Sequence, residues 1–170
     1  MKCIHKLALA TCVLTAGATA AAAQEESEAL VAFSSMKTEI AVKLAEAAME
    51  SCRAQGAQVA VAVVDRFGSL QVVLRDRFAG AHTPETARRK AWTAVSFRAD
   101  TLTLSETTKP GSEAYAANFI PEALMLGGGV PVQAQGSIVG GVGVSGAPGG
   151  DVDDACARAG IDAVAADLEF

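Results

Sequence analysis

The chain has 170 residues, of which 51% are hydrophobic and only 5% aromatic, and its formal net charge is −5. This length suffices for one domain with a single core, which valine, alanine and leucine must fill because aromatic residues are few. The negative charge argues against nucleic acid as a partner and against attraction to an anionic membrane surface, because both need a basic face.

Residues 1–23 have the layout of a secretory signal peptide. A short basic start is followed by the apolar run Leu7–Gly17, which is too short to span a bilayer, and by the cleavage site Ala21–Ala23. Cleavage before Gln24 would release a periplasmic or secreted chain that is not inserted in the membrane. We expect residues 24–35 to form an acidic, partly helical lead-in and residues 36–170 to form one folded domain.

A helix and a strand pair come first in this domain. Apolar residues recur at helical spacing from Met36 onward, and Gly56 stands where a helix C′ residue is expected. The alternating run Gln58–Asp65 predicts a strand, Arg66-Phe67-Gly68 predicts a turn, and Ser69–Arg75 predicts the returning strand of a hairpin.

A second helix is predicted to begin at Thr83. This residue is expected to be the N-cap, because a proline and an acidic residue follow it directly. The helix should extend to about Arg98, and Asp100 predicts the cap of a further short helix. The segment Ser112–Pro121 then reads as a loop with one helical turn.

The last third of the domain is predicted to contain strands and a closing helix. Ala123–Leu126 predicts a short strand, and Gly127–Gly146 predicts a hairpin with its turn at Gln135-Gly136. Asp151–Leu168 predicts the closing helix. This order of elements predicts an α+β fold, a single-domain α/β/α sandwich in which helices flank an antiparallel sheet of about five strands.

Several motifs resemble, in the same order, those of the GlcG/HbpS-like haem-binding family, which is related to the C-terminal domain of PduO-type cobalamin adenosyltransferases. They are the strand pair Val59–Ala81, the helix segment Arg88–Ala94, the break Lys109–Gly111, the strand Gly128–Val132, the hairpin Gly136–Gly146 and the helix segment Asp154–Ile161. The resemblance implies a small sandwich that assembles into a homodimer or larger symmetric oligomer. It also implies a site for haem or a related tetrapyrrole, without one fixed axial-ligand motif.

Two cysteines would remain after signal cleavage, because Cys3 and Cys12 would leave with the leader. Cys52 and Cys156 both fall on predicted helices that should flank one sheet. A pair of cysteines in an exported protein commonly forms a disulfide. The alternative is two buried small apolar residues, and the sequence leaves both open.

His82 is the candidate axial ligand for haem iron. It is the only histidine left after signal cleavage, because His5 would be removed. Imidazole is a common haem ligand, and a loop before a helix N-terminus is able to direct the ring into a cleft. The alternative is a solvent-exposed loop histidine that binds nothing.

Lys90 and Arg98 are the candidate cations for a ligand carboxylate. With Arg88 and Arg89 they make one predicted helix the most basic part of an acidic chain. Haem propionates or another carboxylate would need such groups, and Lys90 matches the lysine of the family motif. The alternative is a solvated helix face whose cations pair with nearby acids.

Five further residues complete the predicted ligand site. Tyr115 is a second candidate for an iron ligand, and Phe119 could line a slot for a flat ring. Gly127, Gly128 and Gly129 have no side chains, so a flat ligand could approach their backbone closely. For the tyrosine, simple packing is the alternative.

The sequence favours a binding protein over an enzyme. The glycines of the hairpin formally fit a dinucleotide fingerprint but lie along a predicted strand, and no spacing selects a catalytic triad or a zinc site. We expect an exported, oligomeric protein that binds haem or a related tetrapyrrole. One alternative is an enzyme or accessory protein that acts on a small carboxylate or aromatic metabolite in the same pocket, through His82, Lys90 and Arg98. Another is a structural oligomer whose pocket has degenerated.

Overall fold

The computed structural model describes residues 29–169, so the predicted signal peptide and the start of the lead-in lie outside the described residues. The described part of the lead-in contains no helix. Within residues 29–169, no helix combines the length and the apolar character needed to cross a membrane.

Within residues 29–169, six helices and four strands follow one another. They are α1 (Thr38–Ala54), β1 (Ala60–Asp65), β2 (Leu70–Arg75), α2 (Thr83–Phe97), α3 (Thr101–Thr107), a 3-10 helix (Glu113–Phe119), β3 (Gly129–Ala134), β4 (Ser137–Ser145), α4 (Gly150–Asp162) and α5 (Ala165–Leu168).

The strands form one antiparallel sheet in the order β2-β1-β4-β3. Both predicted hairpins are present. The turn of the second has positive φ at both central residues, 49° at Gln135 and 74° at Gly136, which suits the right-handed twist of the strands it joins. Helices cover both faces of this sheet, so the predicted α+β sandwich is confirmed.

The sheet has four strands and not about five, because Ala123–Leu126 does not join it. Its backbone bonds to side chains of α2 and not to a neighbouring strand. The Leu124 N–H donates to the Thr93 hydroxyl at 2.9 Å, and the Ala123 carbonyl accepts from the Arg89 guanidinium at 2.7 Å. These contacts hold the segment against the helix.

Two predicted helix ends are wrong in detail. Thr83 is the first helical residue and His82 takes the N-cap position, because the Thr83 hydroxyl donates backwards to the Gly80 carbonyl at 2.8 Å. The closing helix is interrupted between α4 and α5, where the side chain of Val164 is fully buried in the core.

Successive residues of β1 face two different cores. Val61 and Val63 pack with α1 and α4, whereas Ala62 and Val64 face α2, and all four are fully buried. Side chains alternate between the two faces of a strand, so the run of small and branched residues supplies both layers at once. A continuous apolar run is the pattern expected of a strand covered on both sides.

Helix α2 lies very close to the sheet because the facing residues are small. A Cβ atom at Gly143 would come within 2.0 Å of the Ala87 carbonyl oxygen, and one at Gly141 within 2.5 Å of Val95 Cγ2. On the helix side, Ala87 and Ala91 are fully buried. The glycines along β4 therefore make room for a helix.

On the opposite face of the sheet, the structure joins Cys52 of α1 to Cys156 of α4 by a disulfide. The two residues are separated by 104 positions in the chain, and both side chains are fully buried. The bond therefore ties the first helix of the domain to one near its end.

Replacing Gly143 with alanine should lower the free energy of unfolding by about 1–3 kcal/mol, because the added methyl overlaps the backbone of α2. Gly149→Ala is the control, since its φ is −146° and its methyl would meet only the carboxylate end of Asp151, a flexible side chain. Urea denaturation measures both. Equal stability of the two variants would contradict the packing argument.

Candidate functional site

A cleft of about 560 Å³ opens at the N-terminal end of α2. Its walls are the first turns of α2, the loop Ser145–Gly150 after β4, and the segment around Leu124 and Leu126. We call it the His82 cleft. Its volume lies within the range of small-molecule sites, roughly 300–1,000 Å³.

His82 lies at the rim of this cleft with its imidazole exposed to solvent. Its backbone is fixed, since the His82 carbonyl accepts from the N–H and from the hydroxyl of Thr86, each at 3.0 Å. The ring packs over Gly80, where a Cβ would lie 2.7 Å from its Cε1 atom. Within the described residues the ring nitrogens form no hydrogen bond, so they are available to a ligand.

Arg89 is the cation that faces the cleft beside the apolar wall. It is half-buried, and its guanidinium donates to the carbonyls of Glu122 at 3.2 Å and Ala123 at 2.7 Å. These bonds use the Nε and one terminal nitrogen. The other terminal nitrogen keeps its N–H groups for an anionic ligand.

Lys90 lies beneath the cleft in a buried ion pair. Its Nζ donates to Asp153 Oδ2 at 2.8 Å and to the Val144 carbonyl at 2.9 Å, and the side chains of the pair are only 1% and 5% exposed. The other carboxylate oxygen of Asp153 accepts from the Ala147 N–H at 3.0 Å. The pair thus connects α2, β4, α4 and the loop that forms one wall of the cleft.

Burial shifts the pKa of both partners of this pair against their charged forms. Desolvation lowers the pKa of Lys90 and raises that of Asp153, and the attraction between the two opposes each shift. Lys90 was predicted to bind a ligand carboxylate, but the structure shows its ammonium already bound to a carboxylate of the chain. Its observed contacts are therefore structural.

The structure does not bring the other predicted site residues into this cleft. Arg98 ends α2 and lies at its far end, and Tyr115 and Phe119 lie on the 3-10 helix, edge to face with ring centroids 5.5 Å apart. The proposed alternative needed His82, Lys90 and Arg98 in one pocket, and Arg98 is separated from the other two. The length of α2, 15 residues, places about 22 Å between its ends.

The glycines Gly127, Gly128 and Gly129 are buried against the protein itself. A Cβ at Gly128 would lie 2.6 Å from the Asp153 Cβ, and one at Gly129 would lie 2.3 Å from the Lys90 carbonyl oxygen. Close packing accounts for these glycines, and their role in ligand binding stays a prediction.

The sequence alone does not mark Arg89 or Asp153 for the roles that they have in the structure. Arg89 was one of four cations on the helix, and helical spacing was the signal that could have placed it on the same side as His82. Asp153 lies in the acidic first turn of α4. Its partner is 63 positions away, and only the fold reveals that contact.

Comparison with known proteins identifies relatives of the whole domain. Residues 36–162 match the family model described as haem degrading protein HbpS-like. Corrinoid adenosyltransferase PduO of Salmonella typhimurium is 33% identical over 106 residues, which are 61% of this chain and 32% of PduO. The chain therefore spans about a third of the length of this curated relative.

Two crystal structures are similar to this chain along most of its length. The structure of HbpS shares 44% identity and has a TM-score of 0.74, covering 78% of this chain and 92% of HbpS. The structure of a PduOC:heme complex shares 30% identity and has a TM-score of 0.70, covering 76% of this chain and 94% of that chain.

Removing one partner of the buried pair should destabilise the fold strongly. We expect Lys90→Met to lower the free energy of unfolding by about 3–5 kcal/mol, because Asp153 is then left as an uncompensated buried charge. Lys43→Met is the control, since the Lys43–Asp167 pair is exposed, with side chains 55% and 38% accessible. Such a pair contributes at most about 1 kcal/mol.

Denaturant unfolding at neutral pH checks this difference. Adding Asp153→Leu to Lys90→Met should restore much of the lost stability, because both charges are then gone. Equal losses of stability in Lys90→Met and Lys43→Met would show that breaking the buried pair costs no more free energy of unfolding than breaking an exposed pair.

Proposed function

The chain belongs to the haem degrading protein HbpS-like family, as its motifs predicted, and from this membership we propose that its His82 cleft binds haem or a related tetrapyrrole. The observation that carries the proposal is an imidazole without a hydrogen-bond partner in the described chain, at the rim of a cleft with an apolar wall. A relative with 30% identity is known as a haem complex, which supports the same ligand class here.

The chemistry of the cleft fits the group. A haem site commonly provides three features: a side chain that ligates the iron, an apolar surface for the macrocycle and a cation for a propionate. His82 would ligate the iron, Leu124 and Leu126 would contact the macrocycle, and the remaining N–H groups of Arg89 would bind a propionate. Leu126 is 46% exposed, so a ligand would cover apolar surface that is now in water.

Each residue has a distinct task in this proposal. His82 would hold the iron through an imidazole nitrogen, and the hydrogen bonds from the N–H and the hydroxyl of Thr86 to the His82 carbonyl keep the residue in place. Arg89 orients the ligand by its carboxylate. The Lys90–Asp153 pair holds the loop that forms the opposite wall. Haem, when bound, supplies a redox-active iron.

We further propose that the protein is exported and that it assembles as a homo-oligomer. The signal-peptide layout of residues 1–23 supports export, and the Cys52–Cys156 disulfide suits an oxidising compartment. Exposed apolar side chains on and beside the 3-10 helix support assembly. They are Tyr115, Phe119 and Ile120, which are 39%, 73% and 45% exposed.

Titration with haemin tests the haem proposal. The wild-type protein should give a saturable, shifted Soret band, and His82→Ala should weaken binding about tenfold or more and alter the band, because the iron loses its ligand. Phe78→Ala is the control for non-specific adsorption, since Phe78 is 81% exposed and lies outside the cleft.

The three possible failures of this experiment are distinct. A wild-type protein without a saturable Soret shift would refute haem binding altogether. Unchanged spectra in His82→Ala would leave haem binding intact and remove the ligand assignment. Loss of the shift in Phe78→Ala would show that haem adsorbs to exposed apolar surface.

Mass spectrometry of the exported protein tests the remaining proposals. The denatured protein should begin at Gln24 and gain the mass of two hydrogens on reduction, and the native spectrum should show a multiple of the chain mass. Phe119→Glu, which places a charge in the exposed apolar patch, should shift the native species towards monomer. An uncleaved N-terminus, two free thiols, or a native monomer would each refute the corresponding proposal.

A further inference from the structure

We propose that the chain has a second ligand site, for an aromatic dicarboxylic acid, at the opposite end of α2 from His82. A cleft of about 580 Å³ lies there between the β1–β2 turn, the β3–β4 turn and the C-terminal end of α2. Its walls carry Phe33, Arg66, Phe67 and Arg98, and we call it the arginine–phenylalanine cleft. This site is independent of the proposed haem site.

The β1–β2 turn presents two of these side chains on a fixed backbone. One carboxylate oxygen of Asp65 accepts from the N–H groups of Phe67 at 2.8 Å and Ser69 at 2.9 Å. Gly68 supplies the positive φ, 85°, that closes the turn. Since these hydrogen bonds hold the backbone, the side chains of Arg66 and Phe67 are not needed to close the turn and are available to line the cleft.

Two aromatic rings stand exposed at this cleft. Phe33 and Phe67 contact each other edge to face at 5.2 Å between centroids, yet they remain 57% and 65% exposed. Phenylalanine rings as exposed as these mark a surface whose burial under another apolar group would be favourable. A flat ring is the shape that packs against such a pair.

Both arginines at the cleft lack a carboxylate partner. The lining of the cleft contains no acidic residue, and within residues 29–169 neither Arg66 nor Arg98 forms an ion pair. Two unpaired cations in a chain with net charge −5 create a local site for an anion.

Arg66 is already arranged to bind a carboxylate. Its guanidinium carbon lies 4.5 Å from the centre of the Phe33 ring and 5.6 Å from that of Phe67. The contact with the rings restrains the guanidinium, and because Arg66 forms no ion pair in the described chain, its N–H groups stay free for a bidentate contact.

Arg98 occupies a backbone position that favours glycine. It is the C-cap of α2 with φ 55° and ψ 39°, in the left-handed region where a side chain adds strain. The helix dipole favours a cation there, which accounts for one positive charge but not for Arg66 on the other wall. An arginine at this strained position is consistent with a use for its guanidinium in the cleft.

These contacts together select the ligand class. Two guanidinium groups favour a ligand with two carboxylates, and two exposed rings favour an aromatic body packed against them. Val95 and Ile138 give the cleft an apolar floor that suits the same body. An aliphatic diacid satisfies only the arginines, and a neutral aromatic satisfies only the rings.

Calorimetric titration with naphthalenedicarboxylate tests the proposal. The wild-type protein should bind it saturably, and Arg66→Gln and Arg98→Asn should each weaken binding roughly tenfold, the effect of one charge-assisted contact. Asparagine tolerates the left-handed backbone, so the second variant keeps the helix end. Trp92, the only tryptophan, packs against Gly68 beside Phe67, so its fluorescence should report the same binding.

Two controls separate charge and ring effects. Arg77→Gln removes an exposed arginine beyond the other end of the β1–β2 hairpin and should leave binding unchanged. Cyclohexanedicarboxylate has the same charge without the aromatic face and should bind at least about tenfold more weakly. Arg98→Gly should bind weakly as well, although its midpoint of thermal unfolding should rise because strain is relieved.

Three outcomes of the diacid titrations would overturn the proposal. These are no saturable binding in the wild type, unchanged binding in the Arg66→Gln/Arg98→Asn double variant, and equal binding of the aromatic and cyclohexane diacids. A haemin titration of the double variant completes the test and should match the wild type. Loss of haem binding there, with haem binding retained in His82→Ala, would assign this cleft to haem and refute a separate ligand.

Discussion

The close contact between α2 and the sheet determines much of the molecule. It requires glycine at positions 141 and 143 of β4 and alanine at positions 87 and 91 of the helix, so that backbone meets backbone. Because so little side-chain volume separates them, the helix has one orientation on the sheet. His82 and Arg98 stand at its two ends, and the position of each cleft follows from this contact.

The Lys90–Asp153 pair has a related structural role at the sheet end near His82. Ion pairs are expensive to bury, and many could be replaced by apolar residues without loss of stability. Here the carboxylate also accepts a backbone N–H from Ala147, and the ammonium donates to the Val144 carbonyl. A carbonyl at the end of β4 and an N–H of the loop that follows it are thus satisfied below the cleft, and these bonds hold the loop in place.

Local signals in the sequence sufficed for most of the fold. The turn at Gln135-Gly136 and the end of α1 at Gly56 follow from residues within a few positions of each other, and both have the positive φ that glycine permits. The segment Ala123–Leu126 could not be placed in this way. Its partners, Arg89 and Thr93, come from a helix about thirty positions earlier, and they override its strand-like composition.

The candidate site was less accessible to sequence reasoning than the fold. The sequence correctly indicated that α2 is the basic helix, but it did not indicate which of its cations lack a carboxylate partner. Lys90 has its partner 63 positions away, and Arg98 has none within the described chain. The separation of His82 from Arg98, by contrast, could have been deduced, since a straight helix of 15 residues keeps its ends about 22 Å apart.

That helix also behaves as a spacer of fixed length. The helix cannot slide along β4 without losing this packing. A shift along its axis would move the backbone of Ala87 and Ala91 away from the glycines that make room for it. Whatever binds at its two ends is therefore held at a constant separation and relative angle. In a symmetric assembly of such chains, the bound groups would be related by the symmetry of the assembly, and α2 would set the distance between the two groups in each chain.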